Sequence, residues 1–151
     1  MHRCLGISQS LVDAAEYERI TFEYAMSAAR AMAPLHDDFR FCFLSGEGAD
    51  SSEQSRVRFA RVKGRTENAL LALGKPCVYN FRPAFIHPSA PRANPQLVER
   101  AADGLAPLFY RFWPSKIIPA EALGRAMIQV AKHGHNGRMI DNVEARCLGG
   151  A

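Results

Sequence analysis

The side chains that could do chemistry gather between Phe41 and Asn68. An apolar, aromatic run from Phe39 to Leu44 ends on Ser45 and opens into the loop Ser45-Gly46-Glu47-Gly48-Ala49-Asp50-Ser51-Ser52. Lys63 follows on the next helical stretch, with Phe59 four positions before it. In an open parallel sheet, ligands bind in the crevice outside the carboxyl ends of the strands. Ser45, at the end of one apolar run, and the Arg82-Pro83 pair, closing the next, are therefore expected to border one crevice.

Other groups invite chemistry less. Arg56, Arg58, Arg61, Lys63 and Arg65 crowd one segment, and Arg58, Arg61 and Arg65 share a helical face. Phosphate neutralisation drives non-specific nucleic-acid affinity. No DNA-binding motif or polar-surface aromatic accompanies these cations, so they read as a solvated face or one holding a cofactor phosphate, not a nucleic-acid site. His133-Gly134-His135 sits where a helix ends, a position that the helix dipole favours for cations, and His36-Asp37-Asp38 reads as a polar turn; neither predicts a metal site. Glu67 and Asn68 read as helix surface. Cys4, Cys42, Cys77 and Cys147 form no C-x-x-C pair, which argues against a zinc site or disulfide framework; three of them sit inside or beside apolar runs and read as buried free thiols.

These groups need elements to hold them. Arg3 to Ser8 reads as the tail of a strand. Ser10 to Asp13 resembles a capping box, and apolar residues at helical spacing from Leu11 to Ala31 predict a helix over 11–33, stopped by Pro34. Phe39–Leu44 and Cys77–Phe81 read as strands buried on both faces. A second long helix is predicted over 53–73, ended by Gly74. Helix, strand, helix, strand predicts a parallel α/β sheet with right-handed crossovers. Beyond Pro83, a Pro-rich loop precedes a short helix over 95–102. The cluster Phe109, Tyr110, Phe112, Trp113 reads as packing beneath a long loop, or more sharply as a pocket wall. A third helix opens at Pro119 and ends by Gly134, a short strand covers 138–140, and the tail from Cys147 reads as frayed.

The chain has 151 residues, 48% hydrophobic and 23% charged, with net charge +4. That is the balance of a folded globular domain rather than a disordered or fibrous chain. No apolar run reaches the ~18 residues of a membrane span, and no apolar leader follows Met1. A cytoplasmic protein with no membrane partner is the expectation.

Several blocks resemble the short-chain dehydrogenase/reductase superfamily, in its atypical, NAD-dependent epimerase/dehydratase-like branch. They are Cys-Leu-Gly at 4–6, Tyr17-x-x-Ile20-Thr21, Leu44-Ser-Gly-x-Gly-x-Asp50, Ala60-Arg-Val-Lys-Gly-Arg-Thr-Glu-Asn-Ala-Leu70, Phe81-Arg-Pro83 and Leu123-Gly-Arg-Ala-Met127. The resemblance spans nearly the whole chain, and its middle block is the specific part. It implies a Rossmann-type domain binding NAD or NADP. Its site would hold a serine that polarises the substrate oxygen, a tyrosine that trades a proton with it, and a lysine that holds the nicotinamide ribose. Ser45 falls at the serine position and Lys63 at the lysine position; Phe59 stands where the family has tyrosine. Leu5, Gly6, Lys63, Arg82 and Pro83 fall on the cofactor side.

Two departures follow. Phenylalanine has no proton to give, and a positioned acid–base group is typically worth about 10²–10⁴-fold. Lys63 replaces it only if desolvation or neighbouring cations depress its pKa; Ser45, a water, Tyr79 or His87 are the other choices. The glycine-rich turn that cradles a dinucleotide pyrophosphate is also missing. Gly46-x-Gly48 lacks the third glycine. The resemblance begins at the family's fourth strand, so the expected fold is a single, partial Rossmann-like three-layer α/β domain over 1–151. Its short, mostly parallel sheet lacks the N-terminal βαβαβ half, with an open edge near Arg3 to Gly6. Residues 1–83 would form the core, 84–118 a loop-rich substrate side, and 119–151 a C-terminal helix and tail. By resemblance the helices over 11–33 and 53–73 would pair into a homodimer, with Phe22, Tyr24, Ala25, Ala28, Ala29 and Ala69 suited to that packing. Two functions stay open: an NAD(P)-dependent oxidoreductase or epimerase acting on a small molecule, or a non-catalytic binding or dimerisation module derived from that family.

Overall fold

The computed structural model describes residues 9, 11–74, 77–88 and 114–151. The expected strand at Arg3–Ser8, with Leu5 and Gly6, lies outside them. So do the helix over 95–102 and the aromatic cluster at 109–113.

The first helix, α1, runs through three consecutive segments: Ala14–Glu18, a π-helical turn Arg19–Glu23, and Tyr24–Met32. Its cap is Asp13, whose carboxylate accepts from the Glu16 backbone N–H at 2.8 Å. The helix thus starts three residues later than the pattern from Leu11 predicts. Pro34 lies in the 3₁₀ turn Ala33–Leu35 that ends it. Then come strand β1 (Arg40–Leu44), helix α2 (Arg58–Ala72) and strand β2 (Cys77–Arg82). Strands β3 (Phe85–His87) and β4 (Ile117–Pro119) precede helix α3 (Ala120–His133). Strand β5 (Met139–Asp141) leads into helix α4 (Asn142–Gly149).

The main sheet is parallel, in the order β1-β2-β5, with Leu44 opposite Phe81 and Arg82 opposite Asp141. Its period-2 alternation divides the core in two. On one face Phe43 and Val78 pack with Met26 and Ala29 of α1 and Leu70 of α2. On the other, Tyr79, Phe81 and Ile140 pack with Ala122, Leu123, Ala126 and Val130 of α3 and Ala145 of α4. Helices thus cover both faces of the sheet, as the continuous apolar runs of β1 and β2 require. A fully buried Phe81 or Leu70 contributes about 1.5–3 kcal/mol. Among the described residues, no helix is long and apolar enough to cross a membrane.

Three further features depart from the sequence reading. Strands β3 and β4 form a second, parallel pair, with Phe85 opposite Ile117 and His87 opposite Pro119. The tail from Cys147 is the last turns of α4 rather than frayed chain. Asp141 caps that helix by accepting from Glu144 N–H at 2.8 Å, and Gly150 closes it in the left-handed region. Helix α2 begins at Arg58, not near Glu53, because Asp50 holds the preceding residues in a loop.

Candidate functional site

The loops after β1 and β2 are joined at the carboxyl edge of the sheet. Ser45 N–H donates to the Phe81 carbonyl at 2.8 Å, and Glu47 N–H to the Pro83 carbonyl at 2.8 Å. Ser45 and Pro83 therefore border the same edge, as the strand ends predict. Ser45 is 7% exposed, and its Oγ has no hydrogen-bond partner among the described residues. A buried hydroxyl without a partner costs about 1–3 kcal/mol, so it marks a place suited to one.

Lys63 reaches the same edge from α2. Its Nζ donates to the Leu44 carbonyl at 2.7 Å and lies 4.8 Å from the centre of the Phe43 ring. Burial lowers its pKa to about 8, against an opposing pull from Glu67. Glu67 is one turn along α2 from Lys63, fully buried, and both its oxygens accept from Arg82: Oε1 from Nε at 3.0 Å, and Oε2 from Nη2. The carboxylate that would pair Lys63 is committed elsewhere. Glu67, read from the sequence as helix surface, is instead the buried partner of Arg82 across α2 and β2.

Phe59 lies one turn before Lys63 and closes over the loop. A β-carbon on Gly46 would meet the ring end-on at its para carbon, 2.7 Å away, with both neighbouring ring carbons farther off. That para carbon is where a tyrosine would carry its hydroxyl. The ring fits because residue 46 has no side chain.

The loop's shape rests on Asp50, Asn68 and Arg82, of which the sequence reading gave a role only to Arg82. Asp50 accepts from Ser52 Oγ at 2.7 Å and from the N–H groups of Ser52, Gln54 and Ser55, which hold its carboxyl below the usual range. Its own N–H donates to the Ala60 carbonyl at 2.9 Å. Asn68 donates to the Ser51 carbonyl at 2.9 Å and Arg82 to Ser51 Oγ at 2.7 Å. The chain presses so closely on α2 that a β-carbon at Gly64 would stand 1.8 Å from the Asp50 carbonyl oxygen. A glycine inside a helix costs roughly 0.5–1 kcal/mol relative to alanine, and that penalty was the readable signal of this contact.

Other expected participants lie apart. The Tyr79 side chain is on the opposite face of β2, where its hydroxyl accepts from His135 N–H at 3.1 Å and meets Cys77 Sγ at 3.6 Å. It is therefore no substitute acid at the carboxyl edge. His87 sits on β3, opposite Pro119. His135 Nδ1 accepts from Gly137 N–H at 3.1 Å, and its Nε2 faces Glu144 at 3.3 Å. Within the cationic run, Arg61 donates to the Ser55 carbonyl at 2.7 Å, while Arg65 pairs with Glu18 and stacks 4.4 Å from the Phe22 ring. Burial raises the Cys42 thiol to about 11, which keeps it protonated and inert at neutral pH.

No protein-family model matches the chain, and no curated protein matches it either. The arrangement at the carboxyl edge is therefore the main guide to function: a buried hydroxyl without a partner among the described residues, a desolvated amine, and the Phe59 ring packed on Gly46. On the far side of the edge, Asn142 Oδ1 accepts from Ala84 N–H at 3.1 Å and its Nδ2 donates to the Ser115 carbonyl at 2.5 Å. This clamps the β3–β4 pair beside the site, where Lys116 also pairs with Glu47.

Proposed function

We infer that the chain is a nicotinamide-dependent oxidoreductase or epimerase of the atypical short-chain dehydrogenase type, with a site altered at Phe59. The observation that carries the reading is the convergence of Ser45 and Lys63 on the carboxyl end of β1. That is where an open parallel sheet binds ligands. On this reading the nicotinamide end of NAD or NADP would be held by the Ser45 hydroxyl, which has no partner among the described residues, and by the Lys63 amine. Arg82 and Pro83 border that end, and Arg82 acts through Glu67 and Ser51. A bound nicotinamide would supply or accept the hydride.

The chain's own groups would handle the substrate oxygen. Ser45 Oγ donates a hydrogen bond to it, and Lys63, with a pKa near 8, gives or takes the proton in the tyrosine's stead. The substrate is a small carbonyl or hydroxyl compound. The partner expected by resemblance is a second copy of this chain through α1 and α2, whose Tyr24 and Leu71 remain exposed. A cytoplasmic setting completes the proposal.

A second reading, a binding or dimerisation module without chemistry, is favoured by the end-on packing of Phe59 against Gly46, which fills the proton donor's place with hydrocarbon. Calorimetric titration with NADPH and NADH separates the two. A Kd tighter than about 100 μM supports the oxidoreductase, and no heat at millimolar cofactor refutes it.

A further inference from the structure

We propose that Lys63 is an amine nucleophile that captures small aldehydes and ketones as an imine at the carboxyl end of β1. The inference goes beyond the oxidoreductase reading and does not depend on nicotinamide binding. It begins with the surroundings of Nζ. An ammonium has three donors, and the described residues offer this one a single acceptor, the Leu44 carbonyl at 2.7 Å, above the Phe43 ring. Arg82 occupies both oxygens of Glu67, the one carboxylate within a helical turn. The ring face and the carbonyl both attract a cation, but burial outweighs them and lowers the pKa to about 8 from an ordinary 10.5. Desolvation of a lysine beside apolar surface is a general route to an amine that attacks carbonyls at neutral pH. Lys63 as a whole residue keeps part of its surface exposed.

A second observation points to an oxygen-bearing ligand at the same edge. Ser45, the residue after Leu44, is 7% exposed, and its Oγ lacks a partner among the described residues. Side chains at 43 and 45 alternate to the same face of the strand, the face that α2 covers. A carbonyl compound with its carbon at Nζ would offer Ser45 an oxygen to bond.

The chemistry balances without a further reactant. The Nζ lone pair attacks the carbonyl carbon, a C–N bond forms, and the carbonyl π pair moves to oxygen. A proton passes from nitrogen to that oxygen to give a carbinolamine. A proton taken from solvent joins the departing hydroxyl to leave as water, and the positive charge stays on the iminium. No oxidant or reductant is consumed.

Reductive trapping tests the proposal. The folded protein is treated with acetaldehyde and cyanoborohydride from pH 6 to 10, and ethylation of Lys63, Lys75, Lys116 and Lys132 is followed by peptide mass mapping. At pH 8 about half of the Lys63 amines are neutral, against roughly one in 300 for an ordinary lysine, a ratio of about 150. Lower intrinsic nucleophilicity and partial burial reduce this to an expected advantage of about tenfold over Lys132. The Lys63 rate levels off above pH 8 while the others still rise, and unfolding in urea abolishes the difference. An advantage below threefold at pH 8, or no labelling of Lys63 in the folded protein, overturns the proposal. Cofactor titration is a separate measurement, so failure of either reading leaves the other to be judged by its own result.

Discussion

Gly64→Ala tests whether the loop after β1 is held by its close approach to α2. Judged by helix propensity alone, the substitution stabilises by up to about 1 kcal/mol. The structure reverses the sign. The new β-carbon would stand 1.8 Å from the Asp50 carbonyl oxygen, where real contacts essentially never fall under 3.0 Å, and the obstacle is backbone rather than a flexible side chain. The loop must withdraw by roughly 1 Å or more, a shift that overpacked sites resist at about 1–3 kcal/mol. Withdrawal also strains the bonds from Asp50 N–H to Ala60 and from Asn68 to Ser51, each worth about 1 kcal/mol. After the gain in propensity, a net loss of about 2–3 kcal/mol remains, and Tm falls by about 5–10 °C for a chain of this size. Gly124→Ala is the matched control, inside α3 with nothing within 4 Å of its β-carbon, and it raises Tm by up to about 4 °C. Thermal unfolding followed by circular dichroism reads both. If Gly64→Ala keeps or raises Tm as Gly124→Ala does, the loop does not rest on α2 and the positioning argument fails.

Four further outcomes follow from named contacts. Because folding depresses the Lys63 pKa to about 8 from 10.5, the unfolded chain binds more protons between those values, so stability rises as pH climbs from about 8 to 10.5; with Lys63 only half-buried, the rise is discounted to about 1–2 kcal/mol, and Lys63→Met removes it in urea titrations at several pH values. Arg82→Met leaves the Glu67 charge buried and alone, costing about 3 kcal/mol or more, whereas Glu67→Gln, which still accepts from Arg82, costs about 1–2; equal Tm values for the two variants would contradict the pairing. Asp141→Ala removes the α4 cap and costs about 1 kcal/mol by chemical denaturation; no loss would mean that α4 does not depend on that cap. Phe59→Tyr drives a hydroxyl end-on toward Gly46 and costs about 1–3 kcal/mol, and an unchanged Tm would show that the loop has room there.

What the sequence disclosed follows from how each feature is encoded. The runs at 39–44 and 77–81 are apolar at both alternating sets of positions because helices cover both faces of the sheet, and such runs stand out without any structure. Strands of three residues, as at 85–87 and 117–119, are too short for alternation to register. Helix α4 was written in Asp141-x-x-Glu144, a capping signature, but the Gly149-Gly150 ending reads as a loose tail until Gly150 is seen closing the helix. The start of α2 was misplaced because Asp50 and Ser55 offer the backbone hydrogen bonds that compete with helix from 51 to 57. Glu67 shows the limit at the site itself. Whether a carboxylate on an amphipathic helix faces water or a buried arginine depends on Arg82, fifteen residues away on another element.

Phe59 and Lys63 are best understood together. In the pattern the chain resembles, a tyrosine hydroxyl one turn before the lysine would give the amine a polar neighbour and share its proton work. Here that neighbour is a hydrocarbon ring packed on Gly46, the Phe43 ring covers Nζ, and Arg82 takes the carboxylate at Glu67. Phe59 and the Arg82–Glu67 pair each withhold a polar partner from the ammonium, while the Phe43 ring keeps water off it and attracts the cation only through its face. On the proposed reading, a phenylalanine at 59 goes with a lysine whose pKa burial brings to about 8, where an amine can act as acid, base or nucleophile. Restoring the hydroxyl in Phe59→Tyr would on this argument raise the Lys63 pKa along with straining the loop. The reductive-trapping profile of that variant should then shift its plateau above pH 8; a plateau left at pH 8 would show that Phe43 and the Glu67–Arg82 pair set the amine's state without Phe59.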